Sequence, residues 1–302
     1  MMSGHHHVFG KGGRFFGMAL LAGCLCVALI RPIDAKGPPK KKEAPETVNA
    51  ALPSDLNLIS LRVGAAEVLY ELDLSPDQLR SVRDAAAGSA SAGVRSPAHG
   101  DQKLIDAFRA LYESLLKAED RDKVAQLRDT VSELQDDDSV HIDDEVRISD
   151  AARAKVPDLL RQIKASQVAA YLADHADQVG DPVERMMDAL VDVRDPEAQE
   201  PDAEIEAVSE EVGGLVAGLD SANAKQVAEE VTDWLRANRR LTDAEFATRK
   251  TNLEDSAHKI IGDLTALQVL NHWTESELAS LLSNPELPRA VEATLAAQSK
   301  TE

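Results

Sequence analysis

The chain has two cysteines in 302 residues, Cys24 and Cys26, and both lie inside one apolar run. The rest of the chain has none, which excludes disulfide bonds and thiolate chemistry there. Aromatic residues make up only 3% of the chain, while alanine and leucine dominate its apolar positions. Sheets favour β-branched and aromatic side chains, so this composition points to closely packed helices. Cations are also few: 33 Lys and Arg stand against 53 Asp and Glu, a net charge of −20. Such a surface repels phosphate, which argues against nucleic acid or an anionic membrane face as a partner of the body. Solubility is the plain reading of the acid excess, and attraction to a basic protein partner is the sharper one. Also missing are GxSxG, HExxH, GxGxxG and a P-loop, so serine catalysis, zinc, dinucleotides and nucleoside triphosphates have no motif to rest on. No cofactor is expected.

What is present begins with the N-terminus. Lys11 and Arg14 precede sixteen uncharged residues, Phe15 to Ile30, and Arg31-Pro32-Ile33-Asp34-Ala35 follows. That order is the order of a secretory signal over 1–35, with a basic start, an apolar stretch and a small residue at the cut. Cleavage after Ala35 is the first expectation. Leu21-Ala22-Gly23-Cys24 also fits a lipobox, in which Cys24 would be acylated. An uncleaved anchor is the third fate, although sixteen residues fall short of the ~20 that span a bilayer. Membrane association is expected only if Cys24 is lipidated or the signal is retained. Removal of Lys11, Arg14, Arg31 and Asp34 with the signal would leave a net charge of −22.

Residues 36–53 carry four prolines and the run Lys40-Lys41-Lys42, and read as a disordered linker. From Ser54 onward the chain reads as about ten capped amphipathic helices, arranged as a bundle or as stacked hairpins. Ser54 is expected to cap a helix carrying Leu58, Leu61, Ala65, Val68, Leu69 and Leu72. Ser75-Pro76-Asp77-Gln78 is a full start signal, with a serine cap, proline at the first position and glutamine reaching back. The spacing predicts helices over 76–88, 101–118 and 121–135, the last two forming a hairpin. Further helices are expected from Ser149, Ser166, Asp181-Pro182, 202–219, 222–239, Thr242, Thr265, Thr274 and Pro285. Gly214 and Gly218 form a GxxxG at a tight helix contact. Residues 156–175 and 253–272 share a weak likeness of the kind an internal repeat leaves, which helix-start chemistry alone also explains. The acidic run from Asp136 to Glu145 divides an N-terminal helical part (54–137) from a C-terminal one (147–298), with 138–146 as a hinge.

Asp136, Asp138, Asp143, Asp144 and Glu145 are the best candidates for a metal site, because hard cations bind several oxygens on a loop. As an EF-hand the run fails: His141 stands at the glycine position and Arg147 at the closing glutamate. A solvated acidic hinge is the competing reading. His99, His141, His175, His258 and His272 form no close pair in sequence.

Leu74-Ser75-Pro76-Asp77-Gln78 and Leu264-Thr265-Ala266-Leu267-Gln268 resemble the LTxxQ motif of bacterial periplasmic helical proteins, the Spy/CpxP-like family. The second copy matches literally, and the first has serine for threonine. The resemblance covers ten residues and implies an envelope location, a helical fold and a role in sensing stress or holding unfolded proteins. The chain departs from that family in its length, its acidity and the offset of 190 residues from one copy to the other. The residues by themselves assign Ser75, Gln78, Thr265 and Gln268 to helix capping. The expected function is therefore an exported, noncatalytic interaction, scaffold or chaperone-like protein of the cell envelope. The alternative is a hydrolase or metal-dependent enzyme whose site assembles from scattered histidines and carboxylates. An exposed apolar face would favour the first, and a pocket joining a histidine to two carboxylates the second.

Overall fold

In a computed structural model, the described residues are 52–90, 97–98, 100–137, 142–195 and 200–300. Those residues are helical, with no strand among them. The expected signal and nearly all of the expected linker lie outside them, as do Asp138, His99 and His141. In chain order the helices are α1 (Leu56–Glu71), α2 (Pro76–Ala86), α3 (Gln102–Leu116), α4 (Arg121–Asp137), α5 (Asp150–Leu160) and α6 (Ala165–Val179). There follow α7 (Pro182–Val193), α8 (Pro201–Ala217), α9 (Ser221–Asn238), α10 (Asp243–Ile261), α11 (Ala266–Ser283) and α12 (Leu287–Gln298). None among the described residues is long and apolar enough to cross a membrane.

Helix α1 is the axis of the larger core. Leu56, Ile59, Leu61, Val63, Ala65, Ala66 and Leu69 are all buried on it, so its apolar surface runs around the helix rather than along one stripe. Helices α3 and α12 pack on it, and α4 folds back on α3 as the expected hairpin. Three polar side chains on α1 are buried with it, and each has a partner. Arg62 pairs with Glu286, the Ser60 hydroxyl donates to Asp144 at 2.6 Å, and Asn57 accepts from the Asp143 amide at 2.8 Å.

The larger core joins residues of α1 to α6 with α11 and α12, and the smaller one is built by α7 to α10. The division expected at 138–146 therefore does not separate the cores. Residues on both sides of it share one, and Val146 within it is buried. The smaller unit is instead an insertion between α6 and α11. The last two helices return to the first core through Leu278, Leu281, Leu282, Leu287 and Val291, with α12 packed on α1 and α2 and α11 on α5 and α6. A contact among Val179, Leu215 and Val269 joins the insertion to the main core.

Local start signals explain most boundaries, and three expectations need correction. Asp55, not Ser54, caps α1. Its carboxylate accepts from the amides of Asn57 and Ala98, each at 3.1 Å, and so ties the connection between α2 and α3 to the start of α1. Helix α6 begins one residue before Ser166, at Ala165, with Lys164 at the cap position. Thr274 starts no helix. It lies within α11, where its hydroxyl donates to the Leu270 carbonyl at 3.0 Å, a bond that threonine makes inside helices as readily as at their ends.

The glycine that permits the tightest helix contact is Gly213. A Cβ there would overlap the Ala224 carbonyl oxygen, where α8 and α9 pack. Gly218 is also at a tight contact, as expected: a Cβ there would lie 2.9 Å from the Glu275 carboxylate and 3.1 Å from the His272 ring on α11, and with φ of +56° it ends α8.

Candidate functional site

The acidic segment contributes structure through two of its members. The Asp144 carboxylate takes the Ser60 hydroxyl, and Asp143 gives its backbone N–H to Asn57 while its side chain is exposed. Glu145 is half-buried beside them. Asp136 lies in the last turn of α4, and Asp138 is outside the described residues. Among the described residues, no three His, Cys, Asp or Glu side chains come together with spacing that suits a metal ion.

The three described histidines separate. His258 is exposed near the end of α10. His272 donates from Nδ1 to the Leu215 carbonyl, 3.1 Å away, and so touches the insertion. His175 enters a titratable cluster built by four helices.

On α1, Glu67 and Glu71 are one turn apart. Arg128 on α4 reaches both, with Nε 2.9 Å from Glu67 Oε1 and Nη2 2.8 Å from Glu71 Oε1. The second oxygen of Glu71 lies 3.3 Å from Nε2 of His175. The other ring nitrogen of His175, Nδ1, lies 2.8 Å from the Tyr171 carbonyl oxygen. The His175 ring sits between two aromatics, with centroids 4.4 Å from Tyr171 and 4.9 Å from Trp273. Tyr171 and Trp273 themselves stack at 5.4 Å. Glu277, one turn beyond Trp273 on α11, completes the group.

Both ring nitrogens of His175 thus face acceptors. Neutral imidazole has one N–H and can satisfy only one of them, whereas the imidazolium donates to both. Electrostatics agrees. Burial alone lowers the pKa of His175, but the hydrogen bonds to Glu71 and the Tyr171 carbonyl, with the charges of Glu71 and Glu277, outweigh it and raise the value. Burial pushes the Glu277 carboxyl up to about 7. The His175 charge pulls against that, and Glu71 adds to it. Glu67 is also raised by burial, with Arg128 opposing. Burial holds the Tyr171 phenol well above its usual range, so it stays neutral.

Of this cluster the sequence points only to His175, as one of several scattered histidines. Reasoning from sequence misses Glu67, Glu71, Arg128, Tyr171, Trp273 and Glu277. A signal is nonetheless present. Glu67/Glu71, Tyr171/His175 and Trp273/Glu277 are each i, i+4 pairs of polar or aromatic residues on helix faces that are otherwise apolar.

A shallow groove between α2 and α5 is lined by Ser81, Asp84, Lys155, Asp158 and Gln162. Its lysine is already occupied, because Nζ donates to the carbonyls of Ala85 and Ala87 and to the Ser89 hydroxyl, closing the end of α2.

No protein-family profile, curated protein or solved structure matches this chain.

Proposed function

We propose that the chain is an exported, noncatalytic helical interaction protein of the cell envelope, and that its partner is a protein of basic character. One observation carries the noncatalytic part. In the cluster with the residue types of a catalytic site, both nitrogens of His175 and both oxygens of Glu71 are committed to other groups of the fold. A general base needs a free lone pair aimed at a substrate proton. His175 has none, and stacked rings flank it.

The surface supports the choice of partner. Among the described residues the exposed large hydrophobics are Val191 and Leu267, which do not make a contiguous apolar cradle. Acid is the chemistry that the surface offers. Residues 181–261 alone hold 20 Asp and Glu against nine Lys and Arg. The LTxxQ resemblance fits this reading in location and fold, while the acidic surface favours binding by charge over capture of apolar segments.

The hydrolase alternative draws on one specific fact, the meeting of His175 with Glu71 and Glu277. One experiment separates the two. The protein is mixed with an unfolded basic client and an unfolded acidic client, and aggregation is followed by light scattering while hydrolysis of ester, peptide and phosphate probes is monitored. Suppression confined to the basic client is expected, fading as salt shortens the screening length from about 30 Å to about 8 Å. Equal inactivity towards both clients overturns the basic-partner reading. Hydrolysis abolished by His175→Gln overturns the noncatalytic one.

A further inference from the structure

The His175 cluster stands where the chain leaves the main core and where it returns. His175 is one turn before Val179, the last residue of α6, after which the α7–α10 insertion begins. Trp273 and Glu277 lie on α11, the helix that brings the chain back. Trp273 also packs against the small contact that joins the insertion to the core. Between His175 and the α1 axis the polar link is the Glu71 carboxylate, itself held by Arg128.

The charges decide which protonation state fits. From α1 come Glu67 and Glu71, from α4 Arg128, and from α11 Glu277. On the outer side of α6, Asp174 is paired with Arg121 of α4. With His175 protonated and Glu277 neutral, the inner group sums to zero: two carboxylates face two cations. With His175 neutral and Glu277 ionised, three carboxylates face Arg128 alone, a net of −2 in partly buried surroundings. With His175 neutral, only one of its two contacts keeps a proton, so either the Glu71 carboxylate is left to Arg128 or the Tyr171 carbonyl to its helical amide.

We propose that His175, Glu71 and Glu277 form a proton-operated clasp, which holds α6 against α1 and α11 at mildly acidic pH and loosens it above neutrality. Opening frees the segment that connects the α7–α10 insertion to the main core, so the attachment of the insertion becomes pH-dependent. Two groups bias the element in the same direction, and the imidazolium has stacking partners in Tyr171 and Trp273 that neutral imidazole exploits less well.

Hydrogen exchange read by mass spectrometry tests this on the full chain, at about pH 5.5 and about pH 8. Exchange times are scaled for the pH dependence of chemical exchange. The expected result is protection across α6 and the first half of α11 that falls about tenfold or more at the higher pH, with α12 unchanged. Glu277→Gln removes one ionisation while keeping the side chain's size, and is expected to retain more of the protection at the higher pH. His175→Gln is expected to shrink the difference between the two pH values, leaving the part that Glu277 carries. Unchanged protection of α6 in the parent protein overturns the proposal, and so does a pH step that persists undiminished in both variants.

Discussion

Gln78 and Gln167 hold each other across the junction of α2 and α6. Nε2 of Gln78 donates to Oε1 of Gln167 at 2.8 Å, and Nε2 of Gln167 donates back at 3.3 Å. Each is also the third residue of its own helix and accepts from the backbone amide at that helix start, Ser75 in one case and Lys164 in the other. Gln167 further donates to the carbonyls of Leu72 and Asp73, which end α1. Two helix starts and one helix end are thus satisfied by one pair of side-chain amides.

A double-mutant cycle should therefore find Gln78 and Gln167 coupled. Each change to alanine is expected to cost about 1–2 kcal/mol, with an interaction energy above about 0.5 kcal/mol. Gln268, in the other LTxxQ copy, makes only its local cap with Thr265 and is exposed. Its replacement by alanine is expected to cost about 0.5–1 kcal/mol, with no coupling to the other two. Urea denaturation measures all three. Equal, additive losses would mean that the two copies play one local role.

Arg62 and Glu286 pair at 2.6 Å with side chains only 5% and 2% exposed, and they bind α1 to the start of α12. Arg62→Met leaves the buried Glu286 carboxylate with Arg289 at its other oxygen but without its buried partner, and Glu286→Gln takes the carboxylate from Arg62; each is expected to cost about 3–5 kcal/mol. Arg62→Met with Glu286→Leu should cost much less than the sum. Tyr112, buried nearby with its hydroxyl unpartnered, should tolerate phenylalanine with little loss. Thermal or urea unfolding of the four variants decides this.

Gly213→Ala drives a methyl into the Ala224 carbonyl and is expected to destabilise by about 2–4 kcal/mol, by forcing α8 and α9 apart. Ala118 gives the opposite case. It follows α3 with φ of +48°, a region that favours glycine, so Ala118→Gly should be neutral or stabilise by up to about 1 kcal/mol. Melting temperatures of the two variants should move in opposite directions, or only the first should move.

Much of the helical order is legible in the sequence because caps are local. Ser75 with Gln78, Thr242 with Glu245 and Thr265 with Gln268 announce α2, α10 and α11 within four residues each. The same chemistry misleads at Thr274, since a hydroxyl inside a helix looks in sequence like one at its start. The packing of the cores is not legible. Nothing near Asp136 to Glu145 says that α12 returns to α1, because that choice is made by apolar faces more than 200 residues apart. The His175 cluster is hidden for the same reason: its i, i+4 pairs are visible one helix at a time, but that Glu71, His175 and Glu277 meet is decided only by the fold.

Stability should fall as pH rises through neutrality. A histidine whose pKa is raised by folding contributes stability that is complete below its unfolded value of about 6.5 and is lost as pH passes the folded value. Glu277, raised to about 7 from 4.5, works the same way: its ionisation begins to cost stability above about pH 4.5, and the cost is complete once pH exceeds about 7. Together they predict a loss on the order of 2 kcal/mol between about pH 5.5 and pH 8. Glu277→Gln should flatten this slope in urea titrations run across that range.

The clasp is tested most directly by nitrogen NMR of the histidine rings in uniformly labelled protein, with His175→Gln used to assign the resonance. His175 is expected to carry a proton on both nitrogens at about pH 6.5 and to titrate above that value, in step with a change at the Trp273 indole. A His175 that is a single neutral tautomer at that pH, or that titrates below it, would contradict the clasp.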